Sequence, residues 1–444
     1  MHLLRVQVPD FRGLKNIDIT FEKDFVPSIF PLGSQNGGGK STLLQLIFVL
    51  LHCSVDEDKK QFLENLLHGF KSYEGEDKRV LAIINIWDRE KIAKLEFVSY
   101  KNSYIKDLLA LDSKNETIYE ESELCFSDLK ELEKVKNDIN HFEIMQSPDM
   151  YDKDEISKMY EKRDKLEKIY GKVIEYLQSQ HIKYVCNYSS DRNLSNKQDQ
   201  ALLCYLNNID RKETEAVLIE LSNKIFLAAP STEIFLFLPP DLLRFLFTNS
   251  SKTGNNYYGI LESTISKLES LFTYNFLAVN LLIESFKDAR DRDFREAIKT
   301  GNYGNSYQSL INDLNLLLGN KRINLNEDFS GVNFQLYNNG EAIELYPEDL
   351  SHGELKRLSI YIWLKSRNIK DAIVLMDEVE IAFHPDWQYQ IISDLQEWTP
   401  SNREHLSYAM SRNTQRASIR EYDKRVVLLC KGWRKLRRLN FQYS

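Results

Sequence analysis

Ser34-Gln35-Asn36-Gly37-Gly38-Gly39-Lys40-Ser41-Thr42 follows the apolar run 26–32 and opens the strongly helical stretch 41–51. Strand, glycine loop and helix therefore come in that order. The glycines leave consecutive backbone N–H groups uncovered, so the loop can wrap a β-phosphate. The helix start adds its dipole. In that frame Asn36, Gly37, Gly38, Gly39 and Thr42 surround the phosphates of ATP, Lys40 reaches the β- and γ-phosphates, and Ser41 ligates Mg²⁺. The strict pattern has glycine where Ser34 stands, and here Gly33 comes one place early.

Far along the chain, Ala372-Ile373-Val374-Leu375-Met376-Asp377-Glu378 is an apolar strand ending in two acids. Burial in a parallel sheet explains the apolar run. It does not explain two carboxylates at the C-terminal edge, where open α/β sheets bind ligands. Asp377 suits the Mg²⁺ shell, and Glu378 suits a base that orients or deprotonates the attacking water. With Lys40, Glu378 carries the expected catalysis. Leu350-Ser351-His352-Gly353-Glu354 lies shortly before and opens a helix that Ser351 can cap.

Taken together, residues 37–42, residues 350–354, the Asp377-Glu378 strand and the following Glu380 and His384-Pro385 resemble the ABC-type ATPases. The branch they resemble is the SMC/RecF/OLD-like one, which includes ATPase subunits of prokaryotic anti-phage systems such as PARIS and Septu. Phe11-Arg12-Gly13-Leu14-Lys15-Asn16 is similar to that branch's N-terminal hairpin, and residues 329–351 are similar to its approach to the signature. The resemblance covers roughly 1–50 and 325–430.

The resemblance implies a homodimer, or a higher homo-oligomer, that sandwiches two ATP molecules. Ser351 and Gly353 would then face the γ-phosphate held by the other protomer, and residues 379–384 would cross between the two sites. Arg12 would approach the nucleotide. Two departures bear on turnover. A histidine expected in a Thr-His-Ser context falls at Ser407-Tyr408-Ala409-Met410-Ser411, where Met410 has no group for a γ-phosphate or a water. A glutamine expected ahead of the insertion has no identifiable counterpart. Slow hydrolysis with intact binding is the expectation.

The fold expected is an α/β, ABC-type P-loop head split by a large insertion. Residues 1–101 form its first half, 102–325 a mainly helical insertion for dimerisation or partner binding, and 326–444 its second half. Ile156, Met159, Arg163, Leu166, Tyr170, Val173 and Leu177 keep a heptad-like spacing in the insertion, and an amphipathic helix explains it more simply than a coiled-coil arm.

The 444 residues are 42% hydrophobic and 28% charged, which allows a sizeable core. A net charge of −8 argues against a nucleic-acid coat protein and leaves a local basic groove open. Basic residues gather from Arg412 to Arg438, where a solvated face is the simpler reading and phosphate contacts the functional one. Five dispersed cysteines, at 53, 125, 186, 204 and 430, suggest a reducing compartment and no metal cage. Glu233, Pro239, Pro240, Asp241 and Arg244 interrupt the most apolar stretch, 225–247, so no membrane partner is expected and the location is cytoplasmic. No second catalytic motif shows in the insertion. The favoured function is therefore an ATPase acting as sensor or scaffold for a separate effector, a nuclease, answering a phage trigger protein. A DNA-binding repair ATPase and a transporter subunit are the competing classes.

Overall fold

The computed structural model describes residues 1–23, 28–34, 37–88, 90–101, 158, 160–164, 167, 171, 174, 177–189, 200–209, 213–239, 257–274, 278–326, 331–338, 341–367, 369, 371–398 and 407–413. The first section runs β1 (His2–Phe11), β2 (Leu14–Thr20), β3 (Ile29–Ser34), α1 (Lys40–His52), α2 (Lys60–Leu67), β4 (Lys78–Trp87) and β5 (Ile92–Lys101). Next come β6 (Ile182–Tyr188), β7 (Gln200–Asn207), α3 (Thr214–Asn223), β8 (Ile225–Pro230), α4 (Tyr257–Lys267), β9 (Leu271–Tyr274), α5 (Ala278–Thr300), α6 (Ser306–Leu318) and β10 (Lys321–Leu325). The last section holds β11 (Val332–Asn338), β12 (Glu341–Leu345), α7 (His352–Ser366), β13 (Ile373–Met376), α8 (Pro385–Trp398) and β14 (Ser407–Asn413).

The described residues form three sheets. One has the order β2-β1-β4-β5-β7-β6 and is antiparallel throughout. A second, β3-β14-β13-β8-β9, is parallel throughout. The third is β10-β11-β12. Its strands β11 and β12 pair antiparallel and flank the Asn-Asn-Gly hairpin signal that the sequence carries there.

The strand period assigns side chains to two cores. Along β13, Ile373 and Leu375 enter a core shared with α1 and the antiparallel sheet. Val374 and Met376 enter a core shared with α7, α5 and α6. A parallel strand buried on both faces needs an unbroken apolar run, and 372–376 supplies it. Residues 43–52 of α1 are all buried, so the helix has no solvent face. It lies between the two larger sheets, which accounts for its all-round apolar sequence. Truncating a side chain such as Leu44 or Leu375 to alanine should cost about 2–5 kcal/mol.

The stretch expected as a mainly helical insertion is not separate from the sheets. Among the described residues of 102–325, α3, α4, α5 and α6 are joined by five strands. β6 and β7 extend the antiparallel sheet, and β8 lies directly beside β13. Sheet pairing also crosses the limit at 325, where β10 joins β11. The physical reason is that short apolar runs such as Ile225-Phe226-Leu227-Ala228-Ala229 carry no period that separates a buried strand from a buried helix. Of the heptad-like positions, only Arg163 and Leu177 are among the described residues; Leu177 is buried against the antiparallel sheet. Residues 414–444, with most of the basic cluster, lie outside the described residues.

Candidate nucleotide site

Parallel strands bring their carboxyl ends to one edge. Met376 of β13 is level with Ala228 of β8 and with Met410 of β14. β14 continues to Asn413, level with Ser34 at the end of β3. The glycine loop, the two acids and the segment after β8 thus emerge on the same side. The Asp377 N–H donates to the Ala228 carbonyl at 2.8 Å and fastens β13 to β8 there.

α1 starts without a side-chain cap. Its N-cap, Gly39, has φ 77°, and a Cβ on it would lie 2.6 Å from Leu14 Cδ2. Only glycine meets both demands at low cost. Leu14 belongs to the β1–β2 hairpin, so that hairpin braces the loop. Gly37 is also left-handed, with φ 79°. Asn36 lies outside the described residues, and Gly37, Gly38, Gly39, Lys40, Ser41 and Thr42 follow in the expected order.

The first turn of α1 meets the acids. The Ser41 hydroxyl lies within hydrogen-bonding reach of both Asp377 and Glu233. One O–H proton can serve only one of them at a time. Burial pushes the Asp377 carboxyl up; Ser41 pulls it back, Glu378 pushes it further, and Lys40 is close enough to oppose that. Oδ2 of Asp377 is buried and accepts no hydrogen bond. Gln45, one turn further along α1, donates from Nε2 to Glu233.

Glu233 is the residue that sequence reasoning passes over. In the sequence it is only a charge interrupting the apolar stretch 225–247. In the structure it stands in the 3-10 turn after β8 (Ser231–Phe237) and faces Ser41, Gln45, Asp377 and Glu378. Burial first, and then the charge of Asp377, raise its carboxyl to about 7. The available signal was an acid three residues past an apolar run.

These donors fit Mg²⁺ held together with phosphate. Among the described residues, no three His, Cys, Asp or Glu side chains converge closely enough to hold a metal. Mg²⁺ takes one or two carboxylates, waters and substrate oxygens rather than a protein cage. A serine hydroxyl between two carboxylates, one with a buried oxygen lacking a partner, matches that donor set.

Glu378 has φ 49°, a left-handed conformation that costs a non-glycine residue on the order of 1–3 kcal/mol. Its carbonyl accepts from the Ile381 N–H at 3.2 Å and from Lys356 Nζ at 2.6 Å.

Other expected site residues sit elsewhere in the chain. Arg12, φ 52°, donates to the Leu66 carbonyl at the end of α2 at 2.8 Å. Ser351 caps α7 in a reciprocal pair: Glu354 N–H donates to its hydroxyl at 3.3 Å, and its own N–H donates to Glu354 Oε2 at 2.9 Å. Gly353 packs under the Ala382 carbonyl, where a Cβ would come within 2.6 Å. Met410 is inside β14, three residues short of its end.

A family profile described as "AAA ATPase domain" matches residues 1–405. The DNA replication and repair protein RecF of Saccharophagus degradans is 32% identical over 107 residues, which cover 23% of this chain and 28% of that protein. The chain thus spans little more than a quarter of that relative's length. The Smc head domain with an extended coiled coil, bound to the C-terminal domain of ScpA from Pyrococcus furiosus, aligns over 93% of this chain and 89% of its own. Its identity is 13% and the TM-score 0.30, too slight a likeness to carry a conclusion.

Proposed function

Because the chain belongs to the AAA ATPase domain family, we propose that it binds Mg²⁺·ATP at the glycine loop and hydrolyses it, as an SMC/RecF-like ABC ATPase whose two copies close around two nucleotides. One observation carries this reading: the uncapped start of α1 sets Ser41 between Asp377 and Glu233, with Glu378 on the next residue of the same strand end.

The free N–H groups of the loop and Lys40 hold the phosphates. Ser41 and Asp377 would hold the metal, and Glu233 would add a carboxylate to its surroundings. When bound, Mg²⁺ neutralises charge that builds on the transferring phosphoryl group. Glu378 orients the water and accepts its proton. Ser351 and Gly353 act from the partner protomer and finish the site. ATP turnover measured with Mg²⁺ and with a chelator tests the chemistry. Undiminished turnover in Glu378→Gln would sink the assignment of the base.

The finer reading is a sensor or scaffold that controls a separate effector, a nuclease, in anti-phage defence; it rests on the motif resemblance. Pull-down from native cells with and without phage tests it, and recovering no stable partner in either state counts against it. The local likeness to RecF supports a second reading, a DNA-binding repair ATPase. DNA-stimulated turnover with a steep salt dependence would select that one.

A further inference from the structure

The segment after β13 is a strained turn. Glu378 and Ala382 are both left-handed, with φ 49° and 72°, and neither is glycine. Such residues persist only where neighbours over-determine them. Here the neighbour is α7. Lys356, in its second turn, sends Nζ to the carbonyls of Glu378 at 2.6 Å and Ile381 at 3.2 Å. The same ammonium lies 4.1 Å from the centre of the Tyr274 ring and 5.6 Å from that of Phe383. Tyr274 is itself fixed, donating its hydroxyl to the Ala228 carbonyl at 3.1 Å.

An ammonium in such a place needs a reason. Burial lowers the Lys356 pKa to about 8, although Glu380, Glu378 and Asp377 all favour its charge. A methionine would fill the space between Tyr274 and Phe383 without that desolvation. What only a cation with several N–H donors supplies is the grip on two carbonyls of one tight turn. The adjacent Arg357 pairs with Asp394 of α8, the helix that follows the segment, at 2.7 Å.

We propose that Lys356 is a positioning residue for Glu378: it locks the backbone of that acid in its left-handed conformation and tethers it to α7. The proposal rests on the reading of Glu378 as the residue that acts on the attacking water.

The test uses the full chain carrying Lys356→Met, Lys356→Arg, Glu378→Gln and the Lys356→Met/Glu378→Gln pair. The readouts are affinity for a fluorescent ATP analogue, steady-state kcat and KM, and single-turnover hydrolysis. Lys356→Met should leave nucleotide affinity and KM within about threefold and lower kcat at least ~10-fold, since a small misplacement of a reacting group costs that much or more. Lys356→Arg should recover part of the loss. In the Glu378→Gln background, Lys356→Met should add almost nothing, because both changes remove the same contribution. The proposal is overturned if kcat of Lys356→Met stays within twofold of the parent. Losses that multiply in the double variant would also overturn it, and so would a fall in nucleotide affinity as large as the fall in kcat. If Glu378→Gln itself hydrolyses ATP at the parental rate, the functional reading of Glu378 fails on its own, and the proposal fails with it whatever Lys356→Met does.

Discussion

The N-termini of α1 and α7 face the same problem, a set of N–H groups with no partner inside the helix, and answer it in opposite ways. α1 follows a left-handed glycine and carries no side-chain cap. Its last ten residues are buried, so the helix is fixed from behind and open in front. α7 begins with a full capping box, Ser351 with Glu354, and Glu354 is further held by Lys321 at 2.6 Å. Burial pushes Glu354 up, but its bonds to Lys321 and Ser351 leave it below the usual carboxylate range. The first helix start has no side-chain cap and suits an anion. The second is complete on its own, and Ser351 is exposed where a partner could reach it. On the proposed mechanism, the first binds ATP in the lone protomer, and the second only meets a nucleotide already bound elsewhere.

That contrast can be broken at several points. The largest effect belongs to the open end: Lys40→Ala should reduce kcat/KM by ~10²-fold or more, with nucleotide affinity falling too, as read by steady-state kinetics and analogue binding. Next comes Gly353→Ala, whose Cβ would press on the Ala382 carbonyl. It should destabilise the fold by about 1–3 kcal/mol in urea titrations, whether or not ATP is present. If Gly353→Ala kept full stability and lost only ATP-linked association, the glycine would serve the partner's phosphate rather than its own helix packing.

Glu233 gives a pH test of the open end. Its carboxyl is raised to about 7, so between its ordinary range and that value the folded protein holds a proton that the unfolded chain has released. Its contribution to stability is therefore present at low pH and lost as pH rises through that window. Metal bound beside it expels the proton, so Mg²⁺·ATP affinity should rise about tenfold from pH 6 to 8, and Glu233→Gln should flatten the rise. An equal slope in both proteins would remove Glu233 from the metal's surroundings. The smallest effect belongs to the closed end. Ser351→Ala should cost about 1 kcal/mol through the lost cap, measured by thermal unfolding, and leave ATP binding to the single protomer unchanged.

Much of this arrangement was legible in the sequence. The glycine loop, the apolar run ending in Asp377-Glu378 and the Asn-Asn-Gly hairpin are local patterns, and local patterns survive folding. Each lies on the predicted element, from β3 through α1 to β11, β12, α7 and β13. What escaped was non-local. Glu233 becomes part of the site only because β8 pairs with β13, 148 residues later by Cα register between Ile225 and Ile373. Lys356 reads as one more charge on a helix until the turn at Glu378 folds against it. Gly353, expected to face a phosphate, also has a packing reason that only Ala382 reveals. Tertiary pairing decided these cases, and single-residue patterns carry no record of it.

The central claim is that ATP itself bridges two copies, the open end of one against the closed end of the other. Mass measured in solution for Glu378→Gln, with and without Mg²⁺·ATP, tests it most directly. A mass that doubles on adding Mg²⁺·ATP and returns when the nucleotide is removed is the expected result. An unchanged mass with the nucleotide demonstrably bound would contradict it.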